Sequence, residues 1–417
     1  MRQSLHLLIV DRDRRTALAA NYGSRWLLPM LTCGDRARTA PLIARWCAER
    51  GVTGDVAGQW LGHMTSRGID WLAAIAARSG SSVTEPSLGW MPLDLLSSRL
   101  SVLDYQQRTI ARSLVRGALP SVDGPFGNLS WTDVVRAWIG GAVGSAVISV
   151  TPYRVGAHEV VLGADCVHAR VYFKGLVGER ATEAHLTQEL AAAAPDSFAR
   201  TLALERRWDS SVWWLTAACP GRPGGDAHRA AQALARVQQR VLATGAPDGL
   251  SALDLEAAAR WGNGLLAGSP CEAVVRRHCA RVMRADVPTA WIPMDLDPTN
   301  ILEDDEDRVR FIDLDDSYLG AAPLAVATLA LRCGDRTLYR TYERSWSPPL
   351  TGLDWAAFET AATVVQSWLG WTRLERNIVR GEVFIDRDFA AARIRARLAG
   401  AIGGISPCPA RQGGREV

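Results

Sequence analysis

Three runs of β-branched and aromatic residues follow one another in the middle of this 417-residue chain. They read AVISVTPYR from residue 146, HEVVLGAD from residue 158 and VHARVYFKG from residue 167, with glycine-bearing breaks between them. Runs this close together can pair only as antiparallel neighbours, because parallel strands need a crossover of a dozen or more residues. The spacing therefore predicts an antiparallel meander around which the following segments must pack.

A helix and two further strands are predicted after the meander. ERATEAHLTQELAAAA is a strong helix former, and FARTLALERR and SVWWLTAACPG are typical of strands. We therefore predict a five-stranded lobe with one helix over residues 144–221, preceded by a linking helix over 123–143. From Asp226 onward the pattern is predominantly helical, which predicts a helical lobe over 222–403 and a flexible tail over 404–417.

One segment, WIPMDLDPTNILEDDEDRVRFIDLDD at residues 291–316, interrupts the helical pattern. Asp295 and Asn300 stand five residues apart in a loop that contains proline, and the apolar run VRFI leads into Asp313. Acids and an amide at strand ends can converge on one point, where their oxygens can hold Mg²⁺ and aim a hydroxyl at a phosphoryl group. The run EDDEDR, residues 303–308, is instead typical of a charged, solvated hairpin turn.

Lys174 is the single lysine among 47 basic residues, so the other 46 are arginines. In a chain with such a strong preference for arginine over lysine, a lysine is expected where a compact, strongly hydrated ammonium is needed and a planar guanidinium would not fit. The alternative is an exposed lysine that remains by chance.

Together these residues resemble the aminoglycoside phosphotransferase branch of the protein-kinase-like superfamily over residues 140–400. The family pattern, HGDxHPxN followed by a strand and IDW or IDF, is similar to PMDLDPTN and FIDLDD in this chain. The resemblance implies an α+β, bilobal protein-kinase-like fold with a five-stranded N-lobe and a helical C-lobe. It also implies an ATP- and Mg²⁺-dependent transfer of the γ-phosphoryl group to an alcohol group of a small molecule, such as an antibiotic or a metabolite, or of a peptide.

For the loop and strand ends, the resemblance implies that Asp295 is the catalytic base and that Asn300 and Asp313 are the Mg²⁺ ligands. The family usually has a bracing histidine where this chain has Pro293. Its loss favours an alternative function, that of a catalytically weak or inactive kinase-like binding protein. Such a protein would recruit a peptide or protein partner through its N-terminal domain.

For the nucleotide, the resemblance implies that Lys174 contacts the α- and β-phosphates of ATP. Glu183, in the following helix, matches the ion-pair partner of that lysine better than Glu189 does. Main-chain groups near Thr216 and Ala218 would hold the adenine, and the loop PYRVGAHE would cover the phosphates.

The N-terminal unit, residues 1–122, resembles a Nudix-type α/β domain in the segments LLIVDRD, RWLLPM and ARWCAERGV. Of the acidic ligands that such a domain uses, only Glu49 is present, because Arg36, Arg45 and Ala48 occupy other ligand positions. Diphosphate hydrolysis requires several carboxylates to hold its cations. We therefore expect this degenerate Nudix-like domain to be inert as a hydrolase and to serve in docking or substrate recognition, with a pure scaffold as the alternative.

Net charge, the N-terminal sequence and the cysteines bear on the partners and the localisation of the protein. With 47 basic and 44 acidic residues the net charge is only +3, which does not favour a nucleic-acid partner. The N-terminal apolar run is short, so we expect neither a secretory signal nor a membrane span, and a cytoplasmic protein. The eight cysteines are scattered without metal-ligand spacing, which favours buried reduced thiols.

Overall fold

The computed structural model describes residues 3–11, 16–22, 25–33, 39–52, 54–55, 60–65, 68–77, 83–92, 95, 125–126, 131–155, 159–379, 383–384 and 387–405. The chain, a mixed α and β protein, divides into two compact units. Unit 1 comprises Met1–Ala181, Thr201–Ala218 and Glu375–Asp386. Unit 2 comprises Thr182–Arg200, Cys219–Leu374 and Arg387–Val417.

The regular elements are numbered in chain order. The strands are β1 Gln3–Asp11, β2 Thr16–Tyr22, β3 Arg25–Leu27, β4 Met30–Cys33, β5 Gly54–Asp55, β6 Trp60–Thr65, β7 Gly68–Ala77, β8 Leu88–Pro92, β9 Val147–Val155, β10 Glu159–Cys166, β11 Arg170–Val177, β12 Thr201–Arg206, β13 Ser211–Ala217, β14 Arg222–Pro223, β15 Thr289–Pro293, β16 Ile301–Glu303, β17 Val309–Phe311, β18 Ser317–Ala321 and β19 Val383–Phe384. The α-helices are α1 Thr39–Glu49, α2 Trp131–Val143, α3 Thr182–Ala193, α4 Ala227–Thr244, α5 Leu255–Leu265, α6 Pro270–Met283, α7 Pro323–Cys333, α8 Leu338–Ser345, α9 Trp355–Val379 and α10 Arg387–Ile405.

A nine-stranded mixed sheet occupies the N-terminal part of unit 1. Its main order is β19-β6-β7-β1-β2-β3, and β4, β5 and β8 pair with β1, β7 and β2. β1 runs parallel to β7, whereas β1 and β2 are antiparallel. Successive residues Leu7, Leu8 and Ile9 of β1 are all fully buried, so both faces of this strand are covered.

The second sheet of unit 1 has five antiparallel strands in the order β12-β13-β11-β10-β9. One face packs against α2, where Trp138 lies edge-on to Phe173 and Trp213 at centroid distances of 5.8 and 5.5 Å. Phe126 packs on the same sheet at Gly175. Edge-to-face aromatic pairs add stability beyond the area that they bury.

Unit 2 is mainly helical and holds two small antiparallel sheets, β15-β18 and β14-β16-β17. The buried side chain of Gln238, in α4, donates hydrogen bonds to the carbonyls of Trp291 and Ala322 at 2.8 and 3.2 Å, and accepts one from the Tyr342 hydroxyl at 2.6 Å. A buried amide that meets its partners on three elements fixes their relative positions, because each unmade bond would cost about 1–3 kcal/mol.

The strands β9–β13 and the helices α2 and α3 lie within the segments where the sequence predicted strands and helices, and their assignment to a kinase-like N-lobe stays a prediction. The turn predicted at residues 303–308 joins β16 to β17, and the carboxylate of Asp304 within it binds Arg308 and Arg310 at 2.8 and 2.9 Å. The Nudix-like assignment of residues 1–122 and the domain boundaries stay predictions. Residues 156–158 of the predicted phosphate loop and the tail after residue 405 lie outside the described residues.

Across the part of the chain that the structure describes, no helix combines the length and the apolar character that crossing a membrane requires.

We predict that Gly175→Ala lowers the free energy of unfolding by about 1–3 kcal/mol, as expected for overpacking. A Cβ at this position would lie 2.3 Å from Cζ of Phe126, whose side chain is only 2% exposed. Gly141→Ala in α2 is the matched control, because its Cβ would meet no atom within 4 Å and alanine favours the helix by up to about 1 kcal/mol. Urea denaturation followed by circular dichroism compares the two, and equal stabilities would contradict the packing of Phe126 on this sheet.

Candidate functional site

Lys174 lies in the middle of β11, opposite Trp214 of β13. Its Nζ is 5.6 Å from the centroid of the Trp214 ring, within the range of a cation–π contact. Successive side chains of a strand point to opposite faces, so Lys174 lies on the face opposite Phe173, which contacts Trp138 of α2. The sheet therefore presents its lysine on the face that α2 does not cover.

The segment predicted to hold adenine follows the same sheet. Thr216 pairs with Tyr172 across the ladder, and its buried hydroxyl donates a long hydrogen bond of 3.5 Å to the Tyr172 carbonyl. The N–H of Ala218 donates to the carbonyl of Arg170 at 3.2 Å. A base placed here would therefore have to use the carbonyl of Ala218 rather than its N–H.

The sequence analysis did not predict an aromatic pair, Tyr153 and Tyr172, on the sheet face that carries Lys174. Tyr172 stands two residues before Lys174, which places both on one face, and its ring lies 5.7 Å from that of Tyr153. The guanidinium of Arg170 donates to the Tyr153 hydroxyl at 3.0 Å. The two-residue spacing from the lysine is the signal that could have identified Tyr172.

Within unit 2, main-chain hydrogen bonds shape the loop that carries Asp295. The loop begins where β15 ends at Pro293, and the N–H of Met294 donates to the carbonyl of Asp316 at 2.8 Å. The carbonyl of Asp295 accepts hydrogen bonds from the N–H of Asp297 at 2.9 Å and from Nδ2 of Asn300 at 3.1 Å. These contacts hold the loop in which Pro293 precedes Asp295.

Asn300 also reaches the strand that leads to Asp313. Its carbonyl accepts the N–H of Ile312 at 3.0 Å, so Asn300 contacts both Asp295 and the residue before Asp313. The backbone of Asp313 has a φ of 61°, in the left-handed region that few non-glycine residues adopt and that Asp and Asn tolerate best. Unit 2 alone thus brings Asp295, Asn300 and the Asp313 segment together.

Glu183 lies in the first turn of α3 and is buried, with 2% of its surface exposed. Its Oε1 accepts the N–H of Leu314 at 3.0 Å. The carboxylate therefore compensates for its burial with a hydrogen bond to the residue after Asp313. This contact was missed from the sequence, and the role of Glu183 as the partner of Lys174 stays a prediction.

The electrostatic surroundings of Asp295 raise the pKa of its carboxyl group. Burial is the main cause, and the negative charges of Asp313 and Asp315 add to it, whereas Arg373 and Arg332 act in the opposite direction. Arg332 lies 3.5 Å from Oδ1 of Asp295. These arginines were also missing from the sequence prediction, because nothing distinguishes them among the 46.

The donor set fits a magnesium ion in type and number. Nδ2 of Asn300 is bound to the Asp295 carbonyl, which leaves Oδ1 as the ligand atom of the amide. With the Asp313 carboxylate it would give two protein oxygens, as in sites where Mg²⁺ completes its shell with water and substrate phosphates. With only two protein oxygens, such a site would depend on the phosphates and water for its other ligands.

Three of the residues considered for the Nudix-like site, Arg45, Ala48 and Glu49, lie on α1. Glu49 is its last residue, and the exposed carboxylate lies 3.6 Å from Arg50. Arg45 and Ala48 are exposed, and Arg36 lies outside the described residues. The inertness of this domain as a hydrolase stays a prediction.

We predict that Asp313→Ala is less stable than Asp313→Gly by about 0.5–1 kcal/mol. Both variants lose the carboxylate, so the difference between their stabilities reflects the backbone conformation at this position. At a φ of 61° alanine is strained by about 1–2 kcal/mol, and the greater freedom of glycine in the unfolded chain offsets part of this. Denaturation midpoints measured by intrinsic fluorescence would refute this backbone conformation if the two variants were equally stable.

A second prediction concerns pH. Because the pKa of Asp295 is raised on folding, the folded protein binds this proton more tightly, and its stability falls as pH rises from about 4 through the folded pKa. Asp295→Asn removes the cost of a partly buried charge. The variant should therefore be more stable than the wild type at pH 7, with the difference disappearing below about pH 4. Urea titrations at both pH values test this, and a wild type more stable at pH 7 would contradict it.

No protein-family model and no curated protein sequence matches the chain. Similar solved structures include choline kinase LicA from Streptococcus pneumoniae, with 13% identity and a TM-score of 0.48 over 66% of this chain and 99% of that chain. A choline/ethanolamine kinase family protein from Mesorhizobium loti has 16% identity and a TM-score of 0.48 over 65% and 94%. The GDP complex of aminoglycoside 2'-phosphotransferase-IIIa has 13% identity and a TM-score of 0.49 over 66% and 98%. Because these TM-scores are below 0.5, the function of this chain has to be inferred from its own residues.

Proposed function

We propose that this chain is an ATP- and Mg²⁺-dependent phosphotransferase with a protein-kinase-like fold, which acts on a hydroxyl group of a small molecule or a peptide. The observation that carries the proposal is the pair of hydrogen bonds made by Asn300. One reaches the carbonyl of Asp295 and the other the N–H of Ile312, next to Asp313. A base and two metal ligands held by one short segment are what phosphoryl transfer requires, since its catalysis is mostly positioning and charge stabilisation.

In this proposal Asp295 orients the acceptor hydroxyl and accepts its proton. The hydroxyl oxygen forms a bond to the γ-phosphorus, the bond from that phosphorus to the bridging oxygen breaks, and ADP leaves. A raised pKa makes the Asp295 carboxylate a better proton acceptor near neutral pH. Asn300 and Asp313 would hold Mg²⁺, which when bound neutralises charge on the phosphates.

The other predicted residues complete the nucleotide site in the proposal. Lys174 contacts the α- and β-phosphates with its ammonium, and Glu183 orients it. Main-chain groups near Thr216 and Ala218 hold the adenine. The position of Lys174 on the sheet face that α2 does not cover supports this assignment, because a phosphate needs access to the ammonium.

The alternative, a kinase-like binding protein without catalytic activity, draws on the replacement of the family histidine by Pro293. The loop contacts weaken that argument. Met294, Asp297 and Asn300 each make a hydrogen bond that fixes the loop around Asp295. A thermal-shift assay separates the two functions, because a Mg²⁺-dependent stabilisation by ATP supports the enzyme and no stabilisation supports the binding protein.

We predict that Asp295→Asn lowers kcat by about 10²–10⁴-fold, as expected for loss of a general base. Asp305→Asn, the same chemical change at an exposed position of the β16–β17 turn, should retain the wild-type rate. Release of ADP is measured with a panel of hydroxylated antibiotics, metabolites and peptides, and mass spectrometry identifies the acceptor that gains phosphate. Mg²⁺-dependent stabilisation by ATP should persist in Asp295→Asn, and wild-type turnover by this variant would refute the assignment.

A further inference from the structure

Arg332 stands beside Asp295 and, among the described residues, has most of its hydrogen-bonding capacity left. It lies in the last turn of α7, and its Nη2 is 3.5 Å from Oδ1 of Asp295. This distance allows electrostatic attraction but is too long for a good N–H···O hydrogen bond. About a third of each side chain is exposed, 34% for Arg332 and 30% for Asp295. Within the described residues this is the one polar contact of the Arg332 guanidinium, which carries five N–H donors.

Arg373 has a different role, although its charge also acts on Asp295. Its Nη2 forms a short hydrogen-bonded ion pair with Oδ2 of Asp316. The Asp316 carboxyl group is itself largely buried, so Arg373 serves as its fixed countercharge. Among the residues that the structure describes, Arg332 has no carboxylate bound to it at hydrogen-bonding distance.

Two other acids of the segment around Asp295, Asp297 and Asp316, are engaged by neighbours of their own. Oδ1 of Asp297 accepts hydrogen bonds from the N–H and the hydroxyl of Thr299 at 2.9 and 2.7 Å. Asp316 is paired with Arg373, and Asp313 is a proposed metal ligand. Among the described residues, Arg332 is therefore a positive charge next to the base whose own contact, with Asp295, is longer than a good hydrogen bond.

We propose that Arg332 binds an anionic group, a carboxylate or a phosphate, on the acceptor whose hydroxyl Asp295 positions. The inference rests on the proposed function and names its substrate class. A planar guanidinium can bind such an oxyanion with two parallel N–H···O bonds, whereas it would repel an ammonium group brought to the same place. Since Arg332 and Asp295 lie 3.5 Å apart, one acceptor would meet the guanidinium through its anionic group and the carboxylate through its hydroxyl.

The test uses a panel of hydroxylated metabolites sorted by charge. Glycerate, glycerol 3-phosphate, glycerol and choline serve as a set of similar size, in which the first two separate a carboxylate from a phosphate. The full chain is incubated with MgATP and each compound, and mass spectrometry detects the added phosphate. We expect transfer to anionic compounds, with the neutral and cationic compounds poor acceptors.

Three variants test the residue. Arg332→Gln should raise KM for the anionic acceptor about tenfold or more and leave KM for ATP unchanged, since a charge-assisted hydrogen bond is lost from the acceptor alone. Arg332→Lys should retain part of the binding, because the charge remains without the planar fork. Arg260→Gln is the control, an exposed arginine of α5 whose partner is Glu256 on the same helix.

The inference is overturned if no anionic compound gains phosphate, or if neutral or cationic compounds are the better acceptors. It is also overturned if Arg332→Gln lowers kcat equally for all acceptors, which would indicate a role at the transferred phosphoryl group. Failure of the proposed function has a separate signature, because the wild type would then show no Mg²⁺-dependent stabilisation by ATP. If ATP still stabilises the wild type but neutral or cationic compounds are the ones phosphorylated, the proposed function stands and the role of Arg332 is refuted.

Discussion

The proposed site depends on two hydrogen bonds of Asn300, one made by its side chain and one by its main chain. Its side chain donates to the Asp295 carbonyl, and its own carbonyl accepts the N–H of Ile312. Side chain and main chain of one residue thus connect a loop to the end of a strand twelve residues later. The strand pairs β15-β18 and β16-β17 support this connection on either side, so the position of Asp313 relative to Asp295 is set by local hydrogen bonds within unit 2.

A second layer of contacts supports that segment from the helices. Gln238 of α4 donates to the carbonyl of Trp291 in β15, and Glu183 of α3 accepts the N–H of Leu314. Each replaces water around a buried main-chain group, which is costly to leave unpaired. The helices of unit 2 therefore have a second role besides forming the core. Two of their buried polar side chains hold the main chain on either side of the Asp295 loop by hydrogen bonds.

Sequence patterns predicted the local elements and the motif residues, and missed the contacts between distant segments. The five strands around Lys174 follow from their β-branched runs, and Asp295, Asn300 and Asp313 from their order along the chain. The bond from Leu314 to Glu183 joins residues 131 positions apart, and no periodicity encodes such a pair. The nine-stranded sheet was missed for a similar reason. β1 and β7 are adjacent and parallel in the sheet, but they are far apart along the chain. Arg332 could not be selected from sequence, because arginine is the default cation of this chain.

The left-handed backbone of Asp313 restricts how this position can change over evolution. Asparagine and glycine tolerate that conformation, whereas β-branched and bulky side chains do not. Relatives that lose the carboxylate at this position would therefore be expected to carry asparagine or glycine there, which leaves the turn intact. The path of the main chain at this turn could then be retained after the carboxylate itself has been lost.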